Sequence, residues 1–356
     1  MSSGASSLSV IILASRPRSL SRCLESLVEA RLPQDFECLL LLNGNEEACA
    51  AAATPYLGRL RGLKVLSGAP RSLGDARNAA VARAQGGWLC FLDDDVTVPQ
   101  DYFSVLGEKI LRYPEAAVIG GPNLTPPQSP PFERCVGRLL SSRLCAGPMS
   151  RRFGGFPADT WTDESGLILC NLAIRREALA GERPPFDPEL VRNEENLLLE
   201  RLARVGRRAL HAPELYVHHE RRSTVGAFCR QCFLSGQGRA QMSLKLPSSL
   251  RLLHLAPLLP LLGLFGLCAR PFLFFPLAAV YVFSAAVNAA ALSLRRFEGG
   301  QGLAWLFLLH PLAHLSYAAG LFAGLAAGRY GRRSCSSPLP STTIDSFSLP
   351  IRSSSS

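Results

Sequence analysis

Four short apolar runs, at 8–14, 37–42, 63–66 and 88–92, punctuate the first hundred residues, with helical patterns between them. This alternation constrains the fold more than any other feature of the chain. Short runs that are apolar throughout, without polar alternation, read as strands buried on both faces. Between the first two, residues 19–29 place Leu20, Leu24, Leu27 and Val28 on one helical stripe; residues 46–60 are rich in alanine, and 74–84 continue the helical pattern. Strand and helix in this order predict a parallel α/β sheet covered by helices on both sides.

The fourth run, Trp88 to Leu92, leads directly into Asp93, Asp94 and Asp95, and Pro99 marks the turn beyond. Open α/β sheets bind ligands outside the carboxyl ends of their strands. Hard oxygen donors two residues apart suit Mg2+ or Mn2+, and such an ion would in turn hold a diphosphate. Most acidic triplets are solvated turns; the buried strand in front of this one favours the metal.

Further along, the prolines at 126, 127, 130 and 131 predict an irregular segment over 125–160, of the kind that forms binding loops or lids. An apolar strand returns at 166–175. Glu194 and Glu195 then head a helix that ends near Gly206, and residues 216–219 close the pattern as a strand end carrying His218 and His219.

Apolar residues make up 47% of the chain and charged residues only 19%, a low share for a wholly soluble protein. Three uncharged stretches, 252–269, 271–294 and 299–328, approach or exceed the twenty or so residues a spanning helix needs. Three spans would leave Arg295 and Arg296 inside but put Arg329, Arg332 and Arg333 outside. Two spans and an interfacial or re-entrant segment would keep the latter cluster inside as well. The net charge of +10 suits an anionic membrane face or an anionic substrate. With no aromatic and basic platform, nucleic acid is not an expected partner. Residues 1–7 are polar, without the pattern of a leader, and read as flexible; 334–356 read as disordered. The eleven cysteines lie mostly in apolar runs, as packing groups in a reducing compartment. Cys229 and Cys232 lack the second pair that a zinc site requires.

Several motifs stand together in order: Val10 to Leu13; Gly74, Asp75, Ala76, Arg77 and Asn78; Phe91 to Asp95; Asn193 to Leu202; and Tyr216 to Arg222. On these residues the chain resembles a membrane-anchored, bacterial-type family 2 glycosyltransferase with the GT-A fold, over roughly 8–240. The resemblance implies a Rossmann-like nucleotide-sugar-binding domain over 8–245, with a nucleotide half at 8–124 and an acceptor half at 125–245. A membrane region with two to three transmembrane helices would follow at 250–330. It implies an inverting transferase that takes a nucleoside-diphosphate sugar to a hydroxyl of a lipid-linked or cell-surface glycan, at the cell inner membrane with the catalytic domain in the cytoplasm. A polyprenyl-phosphate sugar synthase and a non-catalytic membrane subunit are the alternatives.

Residue by residue, the resemblance implies that Asp93 and Asp95 hold Mg2+ or Mn2+, with His219 in preference to His218 completing the site, while Asp94 reaches the ribose or the sugar. Glu195 stands where the family has a catalytic aspartate, one methylene longer, with Glu194 beside it; a carboxylate there would take the acceptor's proton. An acidic helix start is also favoured by the helix dipole alone. Ala14, Ser15 and Arg16 after the first strand, and Asn43 after the second, are expected to recognise the base. Arg77 and Asn78 are expected near the nucleotide, Arg77 on phosphate or base. Residues 235–239 resemble the interfacial segment of membrane-bound members that helps close the site over donor and acceptor; a basic amphipathic stretch that meets lipid headgroups is the alternative.

Overall fold

The structure is a computed structural model that describes residues 7–68, 72–294 and 299–331. Residues 1–6, the tail at 334–356, and Arg295, Arg296, Arg332 and Arg333 lie outside the described residues.

The amino-terminal half follows the expected alternation: β1 (Leu8–Ala14), α1 (Pro17–Glu29), β2 (Phe36–Leu42), α2 (Glu46–Ala53), β3 (Leu63–Leu66), α3 (Leu73–Arg83) and β4 (Trp88–Asp93). Proline in the first turn starts α1, where its missing N–H costs nothing, and Leu20, Cys23, Leu24 and Leu27 form the buried stripe. Ser72 caps α3 by accepting from the Asp75 N–H at 3.1 Å. The helix expected over 46–60 is shorter, because Pro55 turns the chain into a 3-10 segment at Thr54–Tyr56. Alternate residues of the central strands enter separate cores: Val10, Ile12, Cys38, Leu40 and Cys90 on one face, Ile11, Leu39, Leu89 and Phe91 on the other.

The chain continues through β5 (Val96–Thr97), α4 (Tyr102–Arg112), β6 (Ala116–Gly120) and β7 (Asn123–Leu124). The segment expected to be irregular instead holds α5 (Pro131–Leu140), α6 (Arg143–Ala146) and α7 (Arg151–Gly154). Pro131 opens α5 in the place where proline is tolerated. Then come β8 (Thr160–Thr162), β9 (Asn171–Arg175), α8 (Glu194–Arg204), β10 (Arg208–His211) and β11 (Val217–His219).

The main sheet has the order β3-β2-β1-β4-β9-β6-β10-β8. It is parallel from β3 to β4, but β9 runs antiparallel to both β4 and β6, so the sheet is mixed rather than wholly parallel. The reason is the route. After β6 the chain stays at the carboxyl edge through α5, α6 and α7 and re-enters there, with no crossover helix to carry it back. A second, small sheet has the order β5-β11-β7 and lies at that same edge.

The carboxyl-terminal part comprises α9 (Val225–Lys245), α10 (Leu259–Ala269), α11 (Pro271–Leu294) and α12 (Gly299–Gly331). Three helical segments, Leu252–Ala269, Pro271–Leu294 and Gly300–Ala327, are long and apolar enough to cross a membrane. Cys23, Cys38, Cys49, Cys90 and Cys170 are free and buried, as packing groups should be.

Candidate metal and donor site

The site begins where β4 ends. Asp93 closes that strand, and the turn through Asp94 and Asp95 enters β5, which pairs antiparallel with β11: His219 stands opposite Val96 and His218 opposite Thr97. The Glu220 N–H donates to the Asp95 carbonyl at 3.2 Å and pins the register. Side chains alternate along a strand. His219 therefore turns toward the acidic turn, while His218 packs on the Tyr216 ring with centroids 5.5 Å apart.

His219 Nε2 comes to rest 3.1 Å from Asp95 Oδ1. One ligand atom from each of Asp93, Asp95 and His219 lies within 4.8 Å of the others. Behind the ring, the Asn123 side-chain amide is 3.4 Å from His219 Nδ1, and Cys170 Sγ 3.8 Å, which leaves Nε2 facing the carboxylates. Two carboxylates and an imidazole fit Mn2+ or Mg2+, with the nitrogen donor favouring the former.

The electrostatics agree with the donor set. Burial raises the Asp93 carboxyl, and the neighbouring Asp95 charge raises it further. At Asp95 burial also pushes upward, but His219 and then Arg16 outweigh it and hold the group well below the usual carboxylate range. His219 shows the reverse balance: burial would lower it, yet Asp95 raises it to about 10. A divalent ion would relieve the repulsion between the two aspartates and take the place of the imidazolium proton.

Asp94 faces elsewhere. Its carboxylate is fully buried and accepts from the Ser15 N–H at 2.6 Å, the Arg16 N–H at 2.8 Å and Arg16 Nε at 2.8 Å. The expectation that it reaches ribose or sugar does not match this placement. Two-residue alternation accounts for it, because Asp94 continues the face of Cys90 and Leu92, which points inward beneath the end of β1. Arg16 in turn pairs with both Asp94 and Asp95.

The residues expected at the base lie on adjacent strand ends. Ala14 is in register with Leu42, its carbonyl accepts from the Asn43 N–H at 2.8 Å, and Asn45 Nδ2 donates to the Ser15 carbonyl at 3.0 Å. Gly44 and Asn45 make this turn with φ of 116° and 49°, values that glycine and asparagine tolerate best.

Arg77 and Asn78 are brought to the same edge but engage protein. Asn78 clamps the Phe186 backbone, donating to its carbonyl at 2.7 Å and accepting from its N–H at 2.9 Å. Gly74 permits this docking, since a Cβ there would lie 2.7 Å from the Asp187 carbonyl oxygen. The buried Arg77 guanidinium pairs with Glu194, across 117 positions of sequence. Of the two glutamates heading α8, Glu194 is therefore consumed. Glu195 is partly exposed and, among the described residues, has no hydrogen bond or ion pair. The charges of Asp93 and Glu195 both act on Arg77 and on Arg192.

Sequence reasoning missed the support behind Glu195. Buried Arg152 donates to Asn196 Oδ1 at 2.8 Å and to the Ser165 carbonyl at 3.0 Å. Arg239, fully buried on α9, reaches Glu164 at 3.3 Å. Arg192 was missed too; burial depresses it first, and the neighbouring Arg222 charge second. No local pattern announces any of these residues, which meet only through the packing of α7, α8 and α9.

Residues 9–179 match the family model described as glycosyl transferase family 2. Among solved structures, the mannosyltransferase PcManGT from Pyrobaculum calidifontis, in complex with GDP-Man and Mn2+, is similar with a TM-score of 0.57 at 16% identity, covering 89% of this chain and 86% of that chain. TarS 1-349 from S. aureus, in complex with UDP-GlcNAc, has a TM-score of 0.49 at 14% identity, covering 92% of each chain. The first likeness shows a shared fold; the second is too loose to add to it.

Proposed function

We propose, from the match of residues 9–179 to the glycosyl transferase family 2 model, an inverting, metal-dependent transferase acting on a nucleoside-diphosphate sugar. The observation that carries this reading is the convergence of Asp93, Asp95 and His219 within 4.8 Å of one another, with Glu195 near enough that its charge bears on Arg77 alongside that of Asp93. Asp93, Asp95 and His219 would hold Mn2+ or Mg2+, which when bound supplies positive charge to a leaving diphosphate. Ala14, Ser15, Arg16 and Asn43 would seat the base, as expected from their shared edge.

Glu195 would accept the proton of an acceptor hydroxyl as that oxygen attacks the anomeric carbon in line with the departing diphosphate. Arg152 and Asn196 would steady the start of α8, and Arg77 keeps Glu194 out of competition for the same proton. In this reading 8–124 is the donor half and 125–245 the acceptor half, and the segment from α5 to α7 borders the acceptor.

The apolar helices beyond residue 250 favour attachment to a membrane and an acceptor delivered from it, a lipid-linked or surface glycan, with the catalytic domain on the cytoplasmic face of an inner membrane. Calorimetry of the purified protein in detergent with UDP-, GDP- and dTDP-sugars, with and without Mn2+, tests the donor class. Donor affinity unaffected by chelator, or no donor binding at all, overturns the reading.

A further inference from the structure

By length alone α12 is a third membrane span, but its packing assigns it another place. Residues 302, 306, 309, 313, 320 and 324 are buried at helical spacing along one face. From 302 to 324 that face runs for about 33 Å at 1.5 Å per residue. Near its start, the Gly302 carbonyl lies 3.8 Å from Cys135 Sγ on α5, and Trp305 packs against Phe132 with ring centroids 5.1 Å apart. Next, Leu306, Leu309 and Ala313 share a core with Phe228, at the beginning of α9.

Farther on, α9 and α12 touch backbone to backbone. A side chain at Gly236 would strike the Tyr317 carbonyl, one at Gly320 the Phe233 carbonyl, and one at Gly324 the Gln237 backbone. Glycines four apart commonly join spanning helices to one another; here Gly320 and Gly324 join α12 to α9. The partner helix belongs to the catalytic body: it follows His219 in the chain and buries Arg239 against Glu164. A bilayer that surrounded α12 would have to admit α9 with these charges, which lipid strongly disfavours. Both ends of the buried stripe rest on the same body.

The opposite face is apolar and exposed at Leu303, Phe307, Leu308, Phe322 and Leu325. It adjoins the hairpin of α10 and α11. From Tyr281 onward α11 is fastened to α12, where Tyr281 Oη lies 3.0 Å from His314 Nδ1, and to the start of α6, where Ser142 Oγ donates to Asn288 at 2.8 Å. Its first half projects with Phe272 and Phe275 exposed. Continuous apolar surface of this kind on a folded body marks a lipid contact.

We infer that α12 lies along the membrane as a shelf of the catalytic domain and does not cross it, so that the α10–α11 hairpin is the only described segment that penetrates the bilayer. This rests on the membrane attachment proposed above. The test uses the full chain with epitope tags at the amino terminus, between Gly300 and Gln301, and at the carboxyl terminus, read in sealed vesicles, with a separate portion of the membranes washed with carbonate. All three tags accessible from one side support the inference; a carboxyl-terminal tag opposite the one at 300 overturns it. Release of the whole protein by the wash overturns the membrane attachment, and the inference with it. Independently, Phe307→Trp and Phe322→Trp should gain quenching over wild type from brominated lipids of one depth. A spanning α12 would separate them by about 22 Å, and quenching at two such depths also overturns the proposal.

Discussion

His219 faces Asp95 across 3.1 Å because the strand that follows Asp95 is paired with the strand that ends in His219. Two pieces of chain more than a hundred residues apart thus form one donor set, fixed by backbone pairing. Asp95→Asn or His219→Ala should abolish tight Mn2+ binding in calorimetry and lower transfer by a hundredfold or more, about the several kcal/mol a metal contributes to charge stabilisation. His218→Ala, whose ring faces the other way, should leave Mn2+ binding within about twofold. Equal effects at the two histidines would sink the assignment.

Glu195→Gln should cut the transfer rate by about 10²- to 10⁴-fold, the usual worth of a general base. Donor affinity should stay unchanged, since the residue is not placed on the nucleotide. Single-turnover rates with a hydroxyl acceptor make the measurement. Retention of most activity would indicate a phosphate acceptor, which needs no base.

Glu194→Gln should act on stability instead. It strands the Arg77 guanidinium in the interior, and removal of one partner of a buried ion pair costs about 3–5 kcal/mol. The double variant Glu194→Gln, Arg77→Met should recover part of that loss in urea unfolding. If the single variant is as stable as wild type, the buried pair is not what holds α8 to α3.

His211 predicts an acid limit to stability. It is fully buried on β10 against the Phe156 ring, centroids 4.8 Å apart, and burial lowers its pKa from 6.5 to about 4. Between those values the unfolded chain binds a proton that the folded one refuses, so stability falls as pH drops. The contribution is fully present above about 6.5, is lost as pH falls through about 4, and amounts to about 3 kcal/mol. Unfolding midpoints at pH 7 and pH 5 should differ, and His211→Phe should flatten the difference. An unchanged pH dependence in that variant would mean that the acid limit arises at another group.

The parts of this molecule legible from sequence are those governed by local periodicity. The run from Trp88 to Leu92 announced a buried strand, and the acidic triplet after it announced the site edge, because burial and chain direction suffice for both. Alternation applied two residues further would also have turned Asp94 inward. The pairing of Arg77 with Glu194 was not legible, since its partners meet only after β9 reverses into the sheet. Nor was the seat of α12. A helix apolar on every side shows no preferred face in sequence, and its contacts with α5 and α9, down to the backbone at Gly320 and Gly324, reveal which side meets protein.

The position of Arg16 carries a consequence for how a donor enters. Its guanidinium balances Asp94 and Asp95 and so can act as a placeholder for the cation. An incoming nucleotide that drew Arg16 away would uncover Asp95 just as its own divalent ion arrived, the two charges of the ion replacing the guanidinium and the His219 proton together. The positive charge set against the carboxylates would then stay nearly constant through loading, and at no stage would they lack a counter-charge.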